Sequence, residues 1–283
     1  MVYKISILEA LRVISGATLR GHFKEILGYI RYFLFHPTLK DYRDFSILQL
    51  LIYECGLPLN KNLLERLLRR EPTIIQFDDG SLFIIQDLED FYHASMCYEP
   101  RTLKFLLKYF RNRGVFVDVG ANIGGYTIRV AKQARVYAIE PHPRNFHLLK
   151  LNLNLNKGKI KDNVSIFQAA AGPYLGKAKL FASDYHGRHS LLNLHENASK
   201  CLTIDMITLD SILRDEDNID IIKIDVEGAE PLVLRGANET LRKTDIVIVE
   251  ASAPSSFYHV SKILGMYSFK PTKKLDNNVV FTK

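Results

Sequence analysis

A chain of 283 residues with 47% hydrophobic and 24% charged content can bury a sizeable core, which excludes a disordered or low-complexity protein. Its net charge of +7 is spread along the chain without blocks, so charge alone selects no polyanionic partner. Cys55, Cys97 and Cys201 form neither a Cys-x-x-Cys pair nor a metal-ligand spacing, and no apolar window reaches the roughly 18 residues of a spanning helix. Reduced thiols in a cytoplasmic protein without a signal peptide are the expectation.

Residues 1–72 read as a helical extension, with Ile5, Leu8, Leu11 and Ile14, then Phe23, Ile26, Leu27 and Ile30, at helix-like spacing. Such amphipathic helices leave open a peripheral membrane contact. The segment 73–113 comes next. It opens with two β-rich runs, Ile74 to Ile85, flanking the hairpin signal Asp78-Asp79-Gly80-Ser81. A lead-in helix over 100–111 carries Leu103, Leu106, Leu107 and Phe110 on one side. From 114 to 283, strands are predicted at 115–119, 135–139, 164–169, 219–225 and 245–250, and helices at 123–133, 143–155 and 230–242. That alternation predicts an α/β domain whose mostly parallel sheet is covered on both faces. Lys177–Ala182 and Cys201–Thr208 read as an inserted antiparallel pair. A closing hairpin is expected from Tyr267–Lys270 and Val279–Thr282, with the polar run Lys273–Asn278 as its turn.

The run Val115-Phe-Val-Asp-Val-Gly-Ala-Asn-Ile-Gly-Gly-Tyr-Thr127 carries the chemistry. An apolar strand enters a glycine turn, a helix follows, and the next strand ends in Glu140, placed to bind ribose hydroxyls. The glycines Gly120, Gly124 and Gly125 depart from the dinucleotide spacing: Asn122 stands where a glycine would let the backbone approach a pyrophosphate. Asp118, two residues before the turn, would repel phosphate and suit an ammonium group. A nucleoside with a cationic amino-acid tail fits, which is S-adenosylmethionine. Gln168, beside Ala169 at the third strand end, is placed to edge the adenine.

The fourth strand, Ile219-Asp-Ile-Ile-Lys-Ile-Asp-Val-Glu-Gly228, interrupts its apolar run with Lys223. A buried ammonium is costly without a partner, so Lys223 is expected to pair with Asp118, Asp225 or Glu250. Asp225 is best placed to take a proton from an acceptor, with His189 as second candidate in the loop Asp184-Tyr-His-Gly-Arg-His-Ser190. Tyr185, Arg188 and Ser190 from that loop, with Glu227, are candidate acceptor contacts. No metal-ligand constellation is visible.

These pieces, with Glu140-Pro-His-Pro-Arg-Asn-Phe146, Ala169-Ala-Ala-Gly172, Thr208-Leu-Asp-Ser-Ile212 and Ile222-Lys-Ile-Asp-Val-Glu-Gly-Ala-Glu-Pro231, resemble the FkbM-type family of class I S-adenosylmethionine-dependent methyltransferases over residues 98–250. The resemblance implies a Rossmann-like, mostly parallel seven-stranded sheet with an antiparallel C-terminal hairpin. It also implies cofactor contacts at Asp118, Gly120, Asn122, Glu140 and Gln168, and O-methylation of a hydroxyl on a sugar, lipid-linked or other small acceptor. Two alternatives stand beside it. An RNA or tRNA methyltransferase is raised by the net charge, but the acidic Asp225-Val-Glu-Gly lip would repel phosphate. The other is a non-catalytic cofactor-fold protein that binds a partner.

Overall fold

The computed structural model describes residues 73–77, 79–95, 98–111, 113–160, 163–182, 190–191, 200–250 and 254–283. The helical extension expected over 1–72 lies outside the described residues, as do Cys55 and Cys97, while Cys201 is an exposed free thiol. The chain divides into two compact units, Met1–Tyr92 and His93–Lys283. In the first, β1 (Thr73–Gln76) and β2 (Leu82–Ile85) pair antiparallel, Thr73 opposite Ile85. The Asp79 carboxylate accepts from Ser81 N–H and Oγ, and Gly80 takes φ 78°, so the expected hairpin forms at its turn signal. Helix α1 (Leu88–Ala94) ends just beyond the division.

The second unit holds α2 (Pro100–Tyr109), β3 (Val115–Val119), α3 (Gly125–Val130), β4 (Arg135–Ile139), α4 (Pro143–Leu155), β5 (Val164–Phe167) and β6 (Ala170–Ala171). After these come β7 (Gly176–Ala182), β8 (Lys200–Ile207), α5 (Leu209–Ile212), β9 (Ile219–Ile224), α6 (Glu230–Arg235), α7 (Asn238–Arg242) and β10 (Thr244–Glu250). It ends with α8 (Pro254–Gly265), β11 (Lys270–Leu275) and β12 (Asn278–Thr282). Seven strands make one sheet in the order β11-β12-β10-β9-β3-β4-β5. The five from β10 to β5 are parallel, and β12 joins β10 antiparallel, with β11 antiparallel outside it. This is the mostly parallel seven-stranded sheet with a C-terminal hairpin expected from the sequence. The inserted pair also forms, as β7 and β8, in a small separate sheet with β6.

Apolar residues on both faces of each central strand explain why the sheet is covered twice. Val117, Ile222 and Val247 face one core with Leu209, Leu213, Val233, Leu241, Val260 and Leu264 of the later helices. Their strand neighbours Phe116, Ile221 and Ile248 face the other, with Leu103, Leu106 and Phe110 of α2, Tyr126 and Val130 of α3 and Leu149 of α4. Among the described residues no helix is long and apolar enough to cross a membrane.

Some boundaries differ from expectation, the helix expected over 123–133 being Gly125–Val130. The helix expected over 230–242 is two helices that meet at Gly236 and Ala237, where the backbone packs so closely on Gly172 that a Cβ at 236 would lie 2.0 Å from its carbonyl oxygen. The closing hairpin is shifted: Tyr267 and Ser268 (φ 69°) form a turn, β11 runs on to Leu275, and Asp276-Asn277 make the connection. Lys273 and Lys274, expected in the turn, lie with Lys270 exposed on an edge strand where lysine and Pro271 discourage further pairing. Finally, β5 stops at Phe167, and the chain crosses into the small sheet at Ala170.

Candidate functional site

The strand order reverses between β3 and β9, so the carboxyl ends of these two strands part the connections on either side and leave a crevice. Their close approach is fixed by Gly120 (φ 88°), where a Cβ would lie 1.8 Å from the Asp225 carbonyl oxygen. Gly120 and Ala121 N–H both donate to the Ile139 carbonyl, at 2.9 and 3.0 Å, and tie the turn to β4. Over the crevice lies a solvent-open cleft, the concave setting in which small-molecule sites usually form.

Glu140 sits at the cleft wall, 5% exposed. One carboxylate oxygen accepts from Asn122 N–H and the other from His142 N–H, each at 2.9 Å. Asn122 adopts φ 50° to aim that N–H. Burial pushes the Glu140 carboxyl up to about 7 in spite of these two donors. Each oxygen still has accepting capacity for further donors from the cleft. Asn145, Ile139, Ala170 and Ala171 also line this side.

The β9 end supplies the charge. Lys223, 1% exposed, donates to Asp225 at 2.7 Å, lies 3.8 Å from Glu99 and stands 4.8 Å above the Tyr126 ring. Burial alone would lower its pKa, but Asp225, Glu99 and Asp118 outweigh burial and raise it. Asp225 shows the converse: burial would raise its carboxyl, and Lys223 holds it below the usual value. Glu99 accepts from Tyr126 Oη and from Asn278 Nδ2, both at 2.6 Å. The partner expected for Lys223 is therefore Asp225, and Glu99 is an addition the sequence did not suggest. One oxygen each of Asp225, Glu227 and Glu250 lies within 4.8 Å of the others. Burial, then the charges of Asp225 and Glu227, push Glu250 up to about 9.

That crowding has a consequence for stability. Glu250 and Glu140 hold protons more tightly in the folded chain than in the unfolded one, where glutamate titrates near 4.5. Their stabilising contribution is fully present below about 4.5 and is lost as pH rises through about 7 and then about 9. The melting temperature of the ligand-free chain is expected to fall across this window, and Glu250→Gln, which mimics the protonated acid, to flatten the upper part. Calorimetric melts at stepped pH read the slope; an unchanged slope in the variant overturns the assignment.

Several expected site residues stand elsewhere. Asp118 is 1% exposed and does not line the cleft: it lies beneath the turn and accepts from Thr127 Oγ1 at 2.6 Å. Burial raises its carboxyl, opposed by Lys223 and Thr127. Gly124 (φ 96°) caps α3 against the Leu149 side chain and also stays out of the lining. Gln168 is exposed and Ala169 buried, neither lining the cleft, because β5 ends at Phe167 and places Ala170 and Ala171 there instead. Ser190 is 2% exposed and donates to the Glu227 carbonyl at 2.8 Å, which makes it a brace for the β9 end. Glu227 (φ 52°) lines the cleft. Tyr185, Arg188 and His189 lie outside the described residues.

Among the lining residues that the sequence reading missed are His93 and Tyr98. Their rings meet edge to face at 4.9 Å and 68°. They lie ahead of the alternating pattern, in a stretch without a motif. The available signal was Gly125, a second consecutive glycine, which leaves room for the His93 carbonyl: a Cβ there would come within 2.3 Å of it.

With the geometry in place, a sequence model described as the Methyltransferase FkbM domain matches residues 118–271. Similar proteins include the hexuronic acid methyltransferase AglP of Haloferax volcanii, 26% identical over 199 residues, 69% of this chain and 80% of that protein. Methyltransferase sdnD of Sordaria araneosa is 26% identical over 224 residues, 65% of this chain and 83% of that protein. Among solved structures, precorrin 8w decarboxylase from Methanobacterium thermoautotrophicum matches with a TM-score of 0.41 at 21% identity, covering 65% of this chain and 89% of that one.

Proposed function

The chain belongs to the FkbM methyltransferase family, and from that premise we propose that it methylates an oxygen of a sugar or another small hydroxylated acceptor with S-adenosylmethionine as donor. The observation that carries the reading is Glu140, whose two oxygens are each fixed by a backbone N–H while facing the cleft that Asp225 shares. A carboxylate oriented this way suits a ribose diol, and charge-assisted hydrogen bonds of this kind contribute about 1.5–3 kcal/mol each. The apolar side made by Ile139, Ala170 and Ala171 suits a purine ring. Lys223 is neutralised by Asp225 at 2.7 Å, so the cleft offers little to a phosphate and more to a cationic tail.

When bound, S-adenosylmethionine supplies a methyl group already activated by its sulfonium. What remains for the chain is alignment, exclusion of water and handling of the acceptor proton. In this reading Glu140 holds the ribose and Asp118 orders the turn through Thr127. Asp225, kept ionised by Lys223, accepts a hydrogen bond that aligns the acceptor. The same ion pair makes Asp225 a poor proton acceptor. A sugar as acceptor is favoured by the likeness to a hexuronic acid methyltransferase.

Glu140→Gln tests the cofactor half. Calorimetry with S-adenosylmethionine is expected to show affinity reduced about 100-fold, equivalent to the loss of one to two charge-assisted bonds. Unchanged affinity with a normal melt removes Glu140 from the cofactor site.

A further inference from the structure

We propose that His93 takes the proton of the acceptor hydroxyl during methyl transfer, an inference that rests on the oxygen-methylation reading above. His93 lines the same cleft as Asp225 and Glu140, on the side formed by the residues that lead into α2. Its placement is fixed from several directions. The carbonyl of His93 packs on Gly125, which has no room for a Cβ. Tyr98 holds the ring edge to face. Behind it, Arg129, 1% exposed, donates from Nη2 to the Ala94 carbonyl at 2.7 Å and from Nη1 to the Gly125 carbonyl at 2.8 Å. A buried guanidinium is an expensive clamp, and here it joins the residue after His93 to the first turn of α3, the helix that follows the glycine turn. His93 is thus tied by these contacts to the helix that follows the donor-binding turn.

The other titratable groups sharing the cleft are Tyr98, Tyr126, Glu140, Lys223, Asp225 and Glu227. Lys223 is a committed cation, Tyr126 donates to Glu99, and Glu140 is held by two backbone N–H groups. Asp225 is engaged by Lys223 and lies close enough to His93 that an imidazolium there lowers its carboxyl further. Glu227 sits on the same lip. Imidazole is the side chain whose ordinary proton affinity matches a base working near neutral pH.

The acceptor O–H breaks and its proton goes to an imidazole nitrogen of His93, while the oxygen forms a bond to the methyl carbon. The carbon–sulfur bond breaks with its electron pair remaining on sulfur, so the donor departs as the neutral thioether S-adenosylhomocysteine, and the imidazolium later returns its proton to solvent.

The test compares full-length wild type, His93→Gln and His93→Ala, using p-nitrophenyl glucuronide and methyl-labelled S-adenosylmethionine. Both variants are expected to lose about 100-fold or more in kcat. Calorimetric affinity for S-adenosylhomocysteine should be unchanged, and added imidazole should restore part of the His93→Ala rate. Histidine ring spectra of the wild type supply a readout apart from activity: the resonance absent from His93→Gln should titrate with the acid limb of the rate. Wild-type kcat in His93→Gln overturns the proposal, as does loss of S-adenosylhomocysteine binding in step with rate, which marks a structural role. An alkali-labile product is a methyl ester, formed on a carboxylate with no proton to give. It defeats the base role while leaving methyl transfer intact. A wild type that binds S-adenosylhomocysteine but methylates no oxygen of the glycoside defeats the oxygen-methylation reading, and the base role with it.

Discussion

Lys223→Met is expected to cost about 3–5 kcal/mol of unfolding free energy, the usual penalty for removing one partner of a buried ion pair. Methionine nearly matches the lysine stem in shape, so little packing is lost. The damage is electrostatic: Asp225 loses its partner at 2.7 Å, Glu99 its cation at 3.8 Å, and Asp118 the charge that opposes its burial. Denaturant unfolding of the ligand-free chain measures it. Asp225→Asn placed in the Lys223→Met background should recover part of the loss, because it deletes one of the stranded charges. A single-variant cost below about 1 kcal/mol, the range of exposed pairs, would show that water reaches the cluster.

Gly120→Ala is the harsher substitution. The new methyl would sit 1.8 Å from the Asp225 carbonyl oxygen, at a φ of 88° that side-chain-bearing residues rarely adopt. Neither neighbour can yield cheaply. Asp225 N–H donates to Val119 O and Gly120 N–H to Ile139 O, both at 2.9 Å, so separating them opens the central strand pairs. A loss above about 3 kcal/mol is expected, along with loss of S-adenosylmethionine binding. Gly158→Ala, at a position with nothing within 4 Å, is the matched control and should stay within about 0.5 kcal/mol of wild type. Cofactor binding that survives in Gly120→Ala would falsify the close β3–β9 approach as a requirement of the site.

The central sheet was legible because its strands are short apolar runs ending in polar residues. Val115–Val119, Arg135–Ile139 and Ile219–Ile224 each announce their own carboxyl end. Lys223 was legible too, since a lone cation in such a run demands a partner. What failed to show was set by distant contacts. Helix α8 has core positions at Val260 and Leu264, but its Ser, Phe, Tyr, His and Val residues are weak helix formers and hid the period. Asp118 reads as a ligand-facing acid, yet Thr127 on the next helix captures it from below. Gln168 has the right type and offset, but the chain leaves the main sheet just before it reaches the cleft. His93 and Glu99 carry no local signal at all. They join the site through Gly125, Arg129 and Asn278, residues 32 to 179 positions away or reached only through tertiary packing.

The bond from Asn278 to Glu99 sets an order of events during synthesis. These residues are 179 positions apart, and β12 must insert between β10 and β11 before Asn278 arrives. On the ribosome, α2, β3 and α3 emerge well before β12, so Glu99 and Tyr126 are synthesised long before the second donor to Glu99, Asn278. Domains build from the amino end as the chain grows, and contacts this remote in sequence form last. The buried polar cluster behind the cleft, where Glu99 meets Lys223, can therefore be completed only once residue 278 has cleared the exit tunnel. Until then a nascent chain carries the glycine turn without a finished active site.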